Sequence, residues 1–156
     1  MSNETRYTVR KFMRSPVVTV HLDYVVADVA DLMIKHNIGS VVVVDDAGNL
    51  RGLVTERMFM PQEDLFPFMR GTVTRLMGSN VGSDHSTAYY NAIEEVRSKG
   101  VQEIMESEPA SVYPDTTIDK VIEIIAASGE NHLPVVESGK PIGMIARHDL
   151  LQLFGG

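Results

Sequence analysis

Residues 12–16 read Phe-Met-Arg-Ser-Pro, and residues 104–109 read Ile-Met-Glu-Ser-Glu-Pro. Each stretch is followed by a short β-prone segment, a helical pattern, an apolar run, a glycine turn and a second apolar run that begins at glycine. Identical residues recur 92 positions apart before the turn and 91 positions apart after it. The identical pairs include Met13 and Met105, Val20 and Val112, Asp23 and Asp115, Val29 and Val121, Gly48 and Gly139, and Gly52 and Gly143. Identities in register with the same order of elements predict one structural unit that occurs twice.

The spacing of apolar residues predicts the elements of each unit. Asn37 and Gly129 are suited to left-handed C-caps at the ends of two helices. The runs 41–44 and 133–136 are short and apolar on both faces, which is typical of buried strands. Each unit is therefore predicted to be β-α-β-β-α, and two units are expected to pack together because one is too small to bury a core. The residues at helical spacing are Val26, Val29, Ala30 and Met33 in the first unit and Ile118, Val121, Ile122 and Ile125 in the second.

These patterns divide the chain into an N-terminal tail at 1–8, a first repeat at 9–60, a linker segment with a helix at 61–100 and a second repeat at 101–156. The stretch 58–77 is rich in Met and Phe, and two interpretations are open. It packs as a connecting element against the core, which we favour, or it forms an adaptable surface for a partner or a second protomer. The linker helix is expected to place Tyr89, Ala92, Ile93 and Val96 on one face.

Composition excludes several classes of protein. The 156 residues contain no cysteine, which excludes disulfides and thiolate metal sites. The net charge is −7, so a nucleic-acid partner is not expected, since binders of DNA or RNA carry a basic field. The sequence contains no apolar run of about 18 residues, so no membrane span is predicted, and a cytoplasmic location is expected. The histidines show no metal-ligand spacing, and no catalytic motif or required cofactor is indicated, so the chain is not expected to be an enzyme.

Five short motifs in this order resemble the cystathionine-β-synthase (CBS) domain family, from about Val9 to Leu151. Each motif is weak alone, but their order, spacing and duplication are specific. The motifs are Phe-Met-Arg-Ser-Pro at 12–16, Gly-Leu-Val-Thr-Glu-Arg at 52–57, Pro-Asp-Thr-Thr-Ile at 114–118, His-Leu-Pro-Val-Val-Glu at 132–137 and Gly-Met-Ile-Ala-Arg-His-Asp-Leu at 143–150.

The resemblance implies an α/β (α+β) fold in which two β-α-β-β-α repeats pack through their sheets with pseudo-twofold symmetry. It also implies two clefts between the repeats, where family members bind AMP, ADP, ATP or S-adenosyl compounds such as S-adenosylmethionine, and a homodimer. The family pattern near each cleft is Gly-x-x-Thr/Ser-x-x-Asp. The Asp accepts hydrogen bonds from the ribose hydroxyls, and the Thr or Ser donates to a phosphate.

Neither repeat carries the whole pattern. The first keeps Thr55 but has Met58 in place of the Asp, and the second keeps Asp149 but has Ala146 in place of the hydroxyl. The resemblance therefore favours one nucleotide site, in the cleft that uses Asp149. The residues expected at that site are Val18, Thr19, Ile38, Gly39, Ser40, Arg147, His148 and Asp149. The residues expected at a second, weaker cleft are Thr55, Arg57, Ser111, Asn131, His132 and Pro134.

Plainer interpretations of the same residues stay open at this point. Asp149 and Thr55 follow buried strands, where either would also cap a helix N-terminus. Arg147 and Arg57 are more often solvated charges than phosphate ligands. Arg14 is expected to face water rather than the cleft.

Two functions follow from the resemblance. The first is a regulatory module that binds an adenine nucleotide and changes the activity of a protein partner that the sequence does not identify. The alternative is a structural dimerisation module that has lost its ligand and regulates a partner. In either case, any catalysis would belong to the partner.

Overall fold

The computed structural model describes residues 7–59, Arg75 and residues 85–155, and its elements follow the predicted order. The elements of the first half are α1 (Val9–Phe12), β1 (Thr19–His21), α2 (Val26–His36), β2 (Ser40–Val44), β3 (Leu50–Thr55) and a 3-10 helix (Glu56–Phe59). The elements of the second half are α3 (His85–Arg97), a 3-10 helix (Val101–Glu103), β4 (Glu106–Ser107), α4 (Ile118–Ser128), β5 (His132–Glu137), β6 (Lys140–Ala146) and a 3-10 helix (Arg147–Leu153). The predicted mixed fold of two repeats is confirmed.

The two predicted C-caps are also confirmed. Helix α2 ends at Asn37, which has φ 50°, and α4 ends at Gly129, which has φ 74°. Both residues are in the left-handed region, where glycine and asparagine are tolerated best. Val29 and Val121 of the predicted apolar faces are fully buried in the cores of their repeats, but Ile122, which was expected on the same face of α4, is 46% exposed.

Several elements differ from the prediction. The last described element of each repeat is a 3-10 helix, a form that proteins use in short pieces, where an α-helix was predicted. The second repeat has only an isolated parallel bridge, from Val112 to Val135, where the first repeat has strand β1. In the first repeat, Leu22 donates its N–H to Val44. The equivalent residue in the second repeat is Pro114, which has no N–H, so the ladder ends there.

The first segment of each repeat pairs with the sheet of the other repeat. One sheet has the order β1-β2-β3-β4, so β4 at the start of the second repeat pairs antiparallel with β3 of the first. In the other sheet, β5 pairs with β6, and Arg14 forms an antiparallel bridge with Met144 of β6. The Arg14 and Met144 backbones exchange two hydrogen bonds, of 2.8 and 2.9 Å.

The hydrophobic cores also contain residues from the first segment of the other repeat. Val9 is buried in the core of the second repeat, and Val101 is buried in the core of the first. A central cluster of Val42, Leu53 and Met144 joins the two sheets. Each core is therefore completed by a residue from the other repeat, as is expected where one repeat is too small to bury a core of its own.

The linker helix α3 packs on its predicted face. Ala92 and Val96 are buried against Val26, with Tyr89 and Ile93 partly buried beside them. Residues 60–74 and 76–84 lie outside the described residues, so most of the Met- and Phe-rich stretch 58–77 does too, as does most of the N-terminal tail. Among the residues that the structure does describe, no helix is long and apolar enough to cross a membrane.

Candidate functional site

Three cavities open around His132, the first residue of β5. The Asp149 cavity has a volume of about 210 Å³, the Arg147 cavity about 450 Å³ and the Thr55 cavity about 260 Å³. His132 lines all three. Burial lowers the pKa of its imidazole, while the nearby carboxylates of Glu56 and Asp149 act in the opposite direction. Its neutral form is therefore favoured at neutral pH.

The Asp149 cavity lies between the repeats. Five of the residues expected at the first site line it. Its walls come from the loop before β1, the turn between α2 and β2, and the end of β6. Thr19 does not line this cavity; it is exposed on β1, in register with Val42. The five expected residues are Val18, Ile38, Gly39, Ser40 and Asp149.

Asp149 is both a helix cap and a cavity residue. One carboxylate oxygen, Oδ2, accepts the Ala146 N–H at 2.8 Å, and the other, Oδ1, accepts Nε–H of Arg14 at 2.8 Å. The Asp149 side chain is only 4% exposed, whereas the Arg14 side chain is 65% exposed. Arg14 was expected to face water rather than the cleft; its side chain is largely exposed, but its guanidinium pairs with the buried acid and it lines the cavity. The backbone bridge to Met144 fixes where this side chain begins.

The Arg147 cavity contains the other two residues expected at the first site. Arg147 and His148 are both exposed and line it together with Leu151. The backbone N–H of Arg147 donates to the Asn131 carbonyl at 2.9 Å, which anchors the start of the 3-10 helix to β5. This cavity shares His132 and Ala146 with the Asp149 cavity, so the two adjoin.

The Thr55 cavity corresponds to the second predicted cleft. Thr55, Arg57, Asn131 and His132 line it, and so does Met58, the residue that replaces the family's Asp. The other two residues predicted for this cleft lie elsewhere. Ser111 is exposed, and Pro134 is buried within β5; neither lines the cavity.

Charge distinguishes the two clefts. Glu106 of β4 is the repeat equivalent of Arg14, and it lines the Thr55 cavity together with Glu130. Burial, the negative charge of Glu130 and a hydrogen bond between the two carboxyls raise the pKa of Glu106. Two carboxyls repel an anionic ligand, so this cleft, although Arg57 also lines it, is less suited to a phosphate than the cleft that contains Arg14.

This carboxyl pair makes stability depend on pH. Because the pKa of Glu106 is raised in the folded state, ionisation costs more there than in the unfolded chain. The cost is absent below the ordinary value of 4.5 and grows as pH rises through the raised value. Replacing Glu106 with Gln is expected to raise Tm by roughly 1–3 °C at pH 7 and to have no effect near pH 4.

Thermal melts at both pH values would test this expectation. Glu123→Gln is the matched control, because it makes the same change on an exposed helix surface where Glu123 pairs with Lys120. Its Tm is expected to stay close to that of the wild type at both pH values. Equal melting temperatures for Glu106→Gln and the wild type at pH 7 would contradict the prediction.

Among the residues that line the three cavities, sequence reasoning missed three charged ones. Arg14 lines the Asp149 cavity, and Glu106 and Glu130 line the Thr55 cavity. A signal for two of them was present, since aligning the repeats places Arg14 opposite Glu106. A reversal of charge at equivalent positions beside two related clefts indicates that the clefts differ in what they bind.

Known proteins with a similar chain support the fold. Curated relatives include an L-aspartate semialdehyde sulfurtransferase of Methanocaldococcus jannaschii, 22% identical over 95% of this chain, and a CBS domain-containing protein of Dictyostelium discoideum, 26% identical over 94%. The chain spans 23% and 15% of the first two curated relatives that it matches, but 90% of the Dictyostelium protein.

Solved structures with the same fold are CBS domains and CBS domain pairs. The CBS domain of a membrane protein from Sphaerobacter thermophilus is 27% identical, with a TM-score of 0.70 over 96% of this chain and 89% of its own. The CBS pair of protein MJ0100, in complex with 5′-methylthioadenosine and S-adenosyl-L-methionine, is 22% identical, with a TM-score of 0.66 over 95% of this chain and 99% of its own. Arabidopsis thaliana CBSX2, in complex with AMP, is 20% identical, with a TM-score of 0.66 over 95% of this chain and 96% of its own.

A family model gives the same assignment directly from the sequence. The model of the CBS domain matches residues 9–60 and 101–156, which together make up more than half of the chain. These two segments contain the duplicated elements and all of the residues that line the three cavities. The chain belongs to the CBS domain family, as a tandem pair of CBS domains.

Proposed function

We propose that this chain is a regulatory module that binds one adenine nucleotide, at the Asp149 cavity. The observation that carries the proposal is the Asp149 carboxylate, which is buried at a cavity lined by both repeats and lies next to the Arg147 cavity. The ligands of MJ0100 and CBSX2, which are S-adenosyl-L-methionine, 5′-methylthioadenosine and AMP, share an adenosine group and support this ligand class.

Each part of an adenine nucleotide has a counterpart in the cavity residues. Asp149 accepts hydrogen bonds from the ribose hydroxyls. Val18 and Ile38 cover the faces of the adenine, and the backbone of Gly39 and Ser40 holds its edge. The guanidinium of Arg147 and the imidazole of His148, at the mouth of the adjoining cavity, take the phosphates. The Thr55 cavity is left as the weaker site because it contains the Glu106–Glu130 pair.

Binding regulates through the relative position of the repeats. A ligand in the Asp149 cavity touches the α2–β2 turn of the first repeat and the end of β6 in the second. It therefore favours the arrangement of repeats that it fits, to the extent that its affinity differs between arrangements. We propose that this shift is read by a partner protein and that the module works as a homodimer, as most oligomers of small domains are symmetric pairs.

The second candidate is a dimerisation module without a ligand. The observation in its favour is the split motif, since Met58 lines one cleft where a ribose-binding acid would lie and Ala146 lines the other where a hydroxyl would lie. In addition, Ile34 on α2 is 77% exposed, which would suit a surface covered in an assembly. Size-exclusion chromatography at micromolar concentration would test the dimer, and a chain that elutes as a monomer would rule this function out.

Calorimetric titration of the full chain with AMP, ADP, ATP and S-adenosylmethionine tests the first function. We expect saturable binding of at least one of them, at one site per chain. Absence of binding to all four would overturn the nucleotide-sensor proposal and leave the dimerisation module as the better description.

A further inference from the structure

We propose that Arg14 is a latch on the nucleotide site. It holds Asp149 while the site is empty and moves to the phosphate of a bound nucleotide, so that the site selects phosphorylated adenosine over free adenosine. This inference rests on the proposed function and adds the residue that sets its specificity.

The latch is visible in how the Asp149 carboxylate is used. Oδ2 is held by the N–H of Ala146 and Oδ1 by Nε–H of Arg14, both at 2.8 Å. With only 4% of the side chain exposed, little of the carboxylate is left for a ligand. A ribose that hydrogen-bonds Asp149 therefore has to displace the side chain that can move. That side chain is Arg14, since the Ala146 N–H is fixed at the helix N-terminus.

Arg14 has the freedom to move without leaving the site. Its backbone is fixed by the two hydrogen bonds to Met144, while its side chain is 65% exposed. A guanidinium on a flexible stem, with five N–H donors, can exchange one oxygen anion for another nearby. The phosphate of a nucleotide is only a few bonds from its ribose, so a nucleotide whose ribose binds Asp149 carries its phosphate close to the released guanidinium.

The exchange separates ligands by charge. When AMP enters, Arg14 loses a carboxylate and gains a phosphate, so the charge-assisted contact is replaced. When adenosine enters, Arg14 loses the carboxylate and gains only water. The latch therefore lowers the affinity for adenosine, while the phosphate contact offsets that loss for AMP.

The fold itself does not require an arginine at this position. Glu106 occupies the equivalent place in β4. This acidic residue makes the same antiparallel pairing, with Leu53 of β3. The backbone crossing is thus compatible with either charge. The ion pair with Asp149 is a property of this cleft and not of the repeat.

Binding of AMP and adenosine to Arg14→Gln tests the latch. The variant is expected to bind adenosine roughly threefold tighter, because the ligand no longer has to break the ion pair between Arg14 and Asp149. It is expected to bind AMP roughly tenfold more weakly, because a charge-assisted phosphate contact is lost. Arg14→Lys keeps a cation and should retain most of the preference for AMP. Arg10→Gln is the matched control, since it removes an exposed arginine that pairs with Asp115 away from the cavity, and it should leave both affinities unchanged.

The outcomes separate this inference from the function on which it rests. If the wild type binds AMP and Arg14→Gln changes the AMP and adenosine affinities by the same factor, or changes neither, the latch is wrong and the nucleotide site stands. If the wild type binds neither adenosine nor any of AMP, ADP, ATP and S-adenosylmethionine, both proposals fail. Thermal melts show whether Arg14→Gln is folded. If it is not, Arg14→Lys decides the question, and equal affinities of that variant for AMP and adenosine would overturn the latch.

Discussion

Replacing Gly143 with alanine is expected to lower the free energy of unfolding by about 2 kcal/mol, because the new methyl group has no room. A β-carbon at Gly143 would lie 2.7 Å from the carbonyl oxygen of Arg14 and 3.1 Å from Sδ of Met13. The oxygen is backbone and already accepts the Met144 N–H, so it cannot move aside without breaking the bridge between the repeats.

Chemical denaturation, followed by circular dichroism, would measure this loss. Gly100→Ala is the matched control, because Gly100 has φ −68° and a β-carbon there would meet nothing within 4 Å. The control is expected to change stability by no more than about 1 kcal/mol, in the stabilising direction if at all. Equal stabilities of the two variants would show that the crossing at Gly143 is looser than its geometry indicates.

The equivalent glycine of the first repeat has the same role. A β-carbon at Gly52 would collide with the side chain of Met105 and lie 3.2 Å from the Glu106 carbonyl oxygen. The pairs Met13–Met105 and Gly52–Gly143, which reveal the repeat in the sequence, are therefore the two sides of one contact made twice. Each methionine lies over the glycine of the other repeat.

The sequence predicts the elements well because their signals are local. Helical spacing and C-caps act within one segment, and the faces of α2, α3 and α4 follow from them. The crossing is not local. Nothing in the residues around Arg14 or Glu106 says that each will pair with the sheet of the other repeat, because strand pairing depends on which edge is free after both repeats fold.

The difference between local signals and contacts between distant segments also explains which site residues the sequence predicts. Asp149 is recognisable from its own motif, and the residues of the α2–β2 turn that line the cavity with it are adjacent in sequence. Arg14 is not recognisable as a cavity residue from the sequence, because its partner lies 135 positions away along the chain. Thr19 follows Val18 directly, but successive residues of an extended chain point to opposite sides. Only Val18 therefore lines the cavity.

Replacing Asp149 with alanine is expected to weaken nucleotide binding by roughly 100-fold, the equivalent of two lost hydrogen bonds to a charged acceptor. The same change removes the acceptor of the Ala146 N–H and should therefore lower stability by about 1 kcal/mol. Loss of binding in this variant alone would thus have two explanations, a missing ligand contact and a frayed helix N-terminus.

Asp149→Asn separates these explanations. Asparagine at this position keeps an oxygen that can accept the Ala146 N–H, so thermal stability should stay within a few degrees of the wild type. It loses the charge, and one of its two oxygens becomes an NH₂ donor, which cannot accept a ribose hydrogen bond. If calorimetry shows that affinity falls at least about tenfold in a variant that remains fully folded, Asp149 binds the ligand directly. Affinity that is lost in Asp149→Ala but kept in Asp149→Asn would mean that the residue supports the site only by holding the helix N-terminus, and that the ribose is bound by other groups.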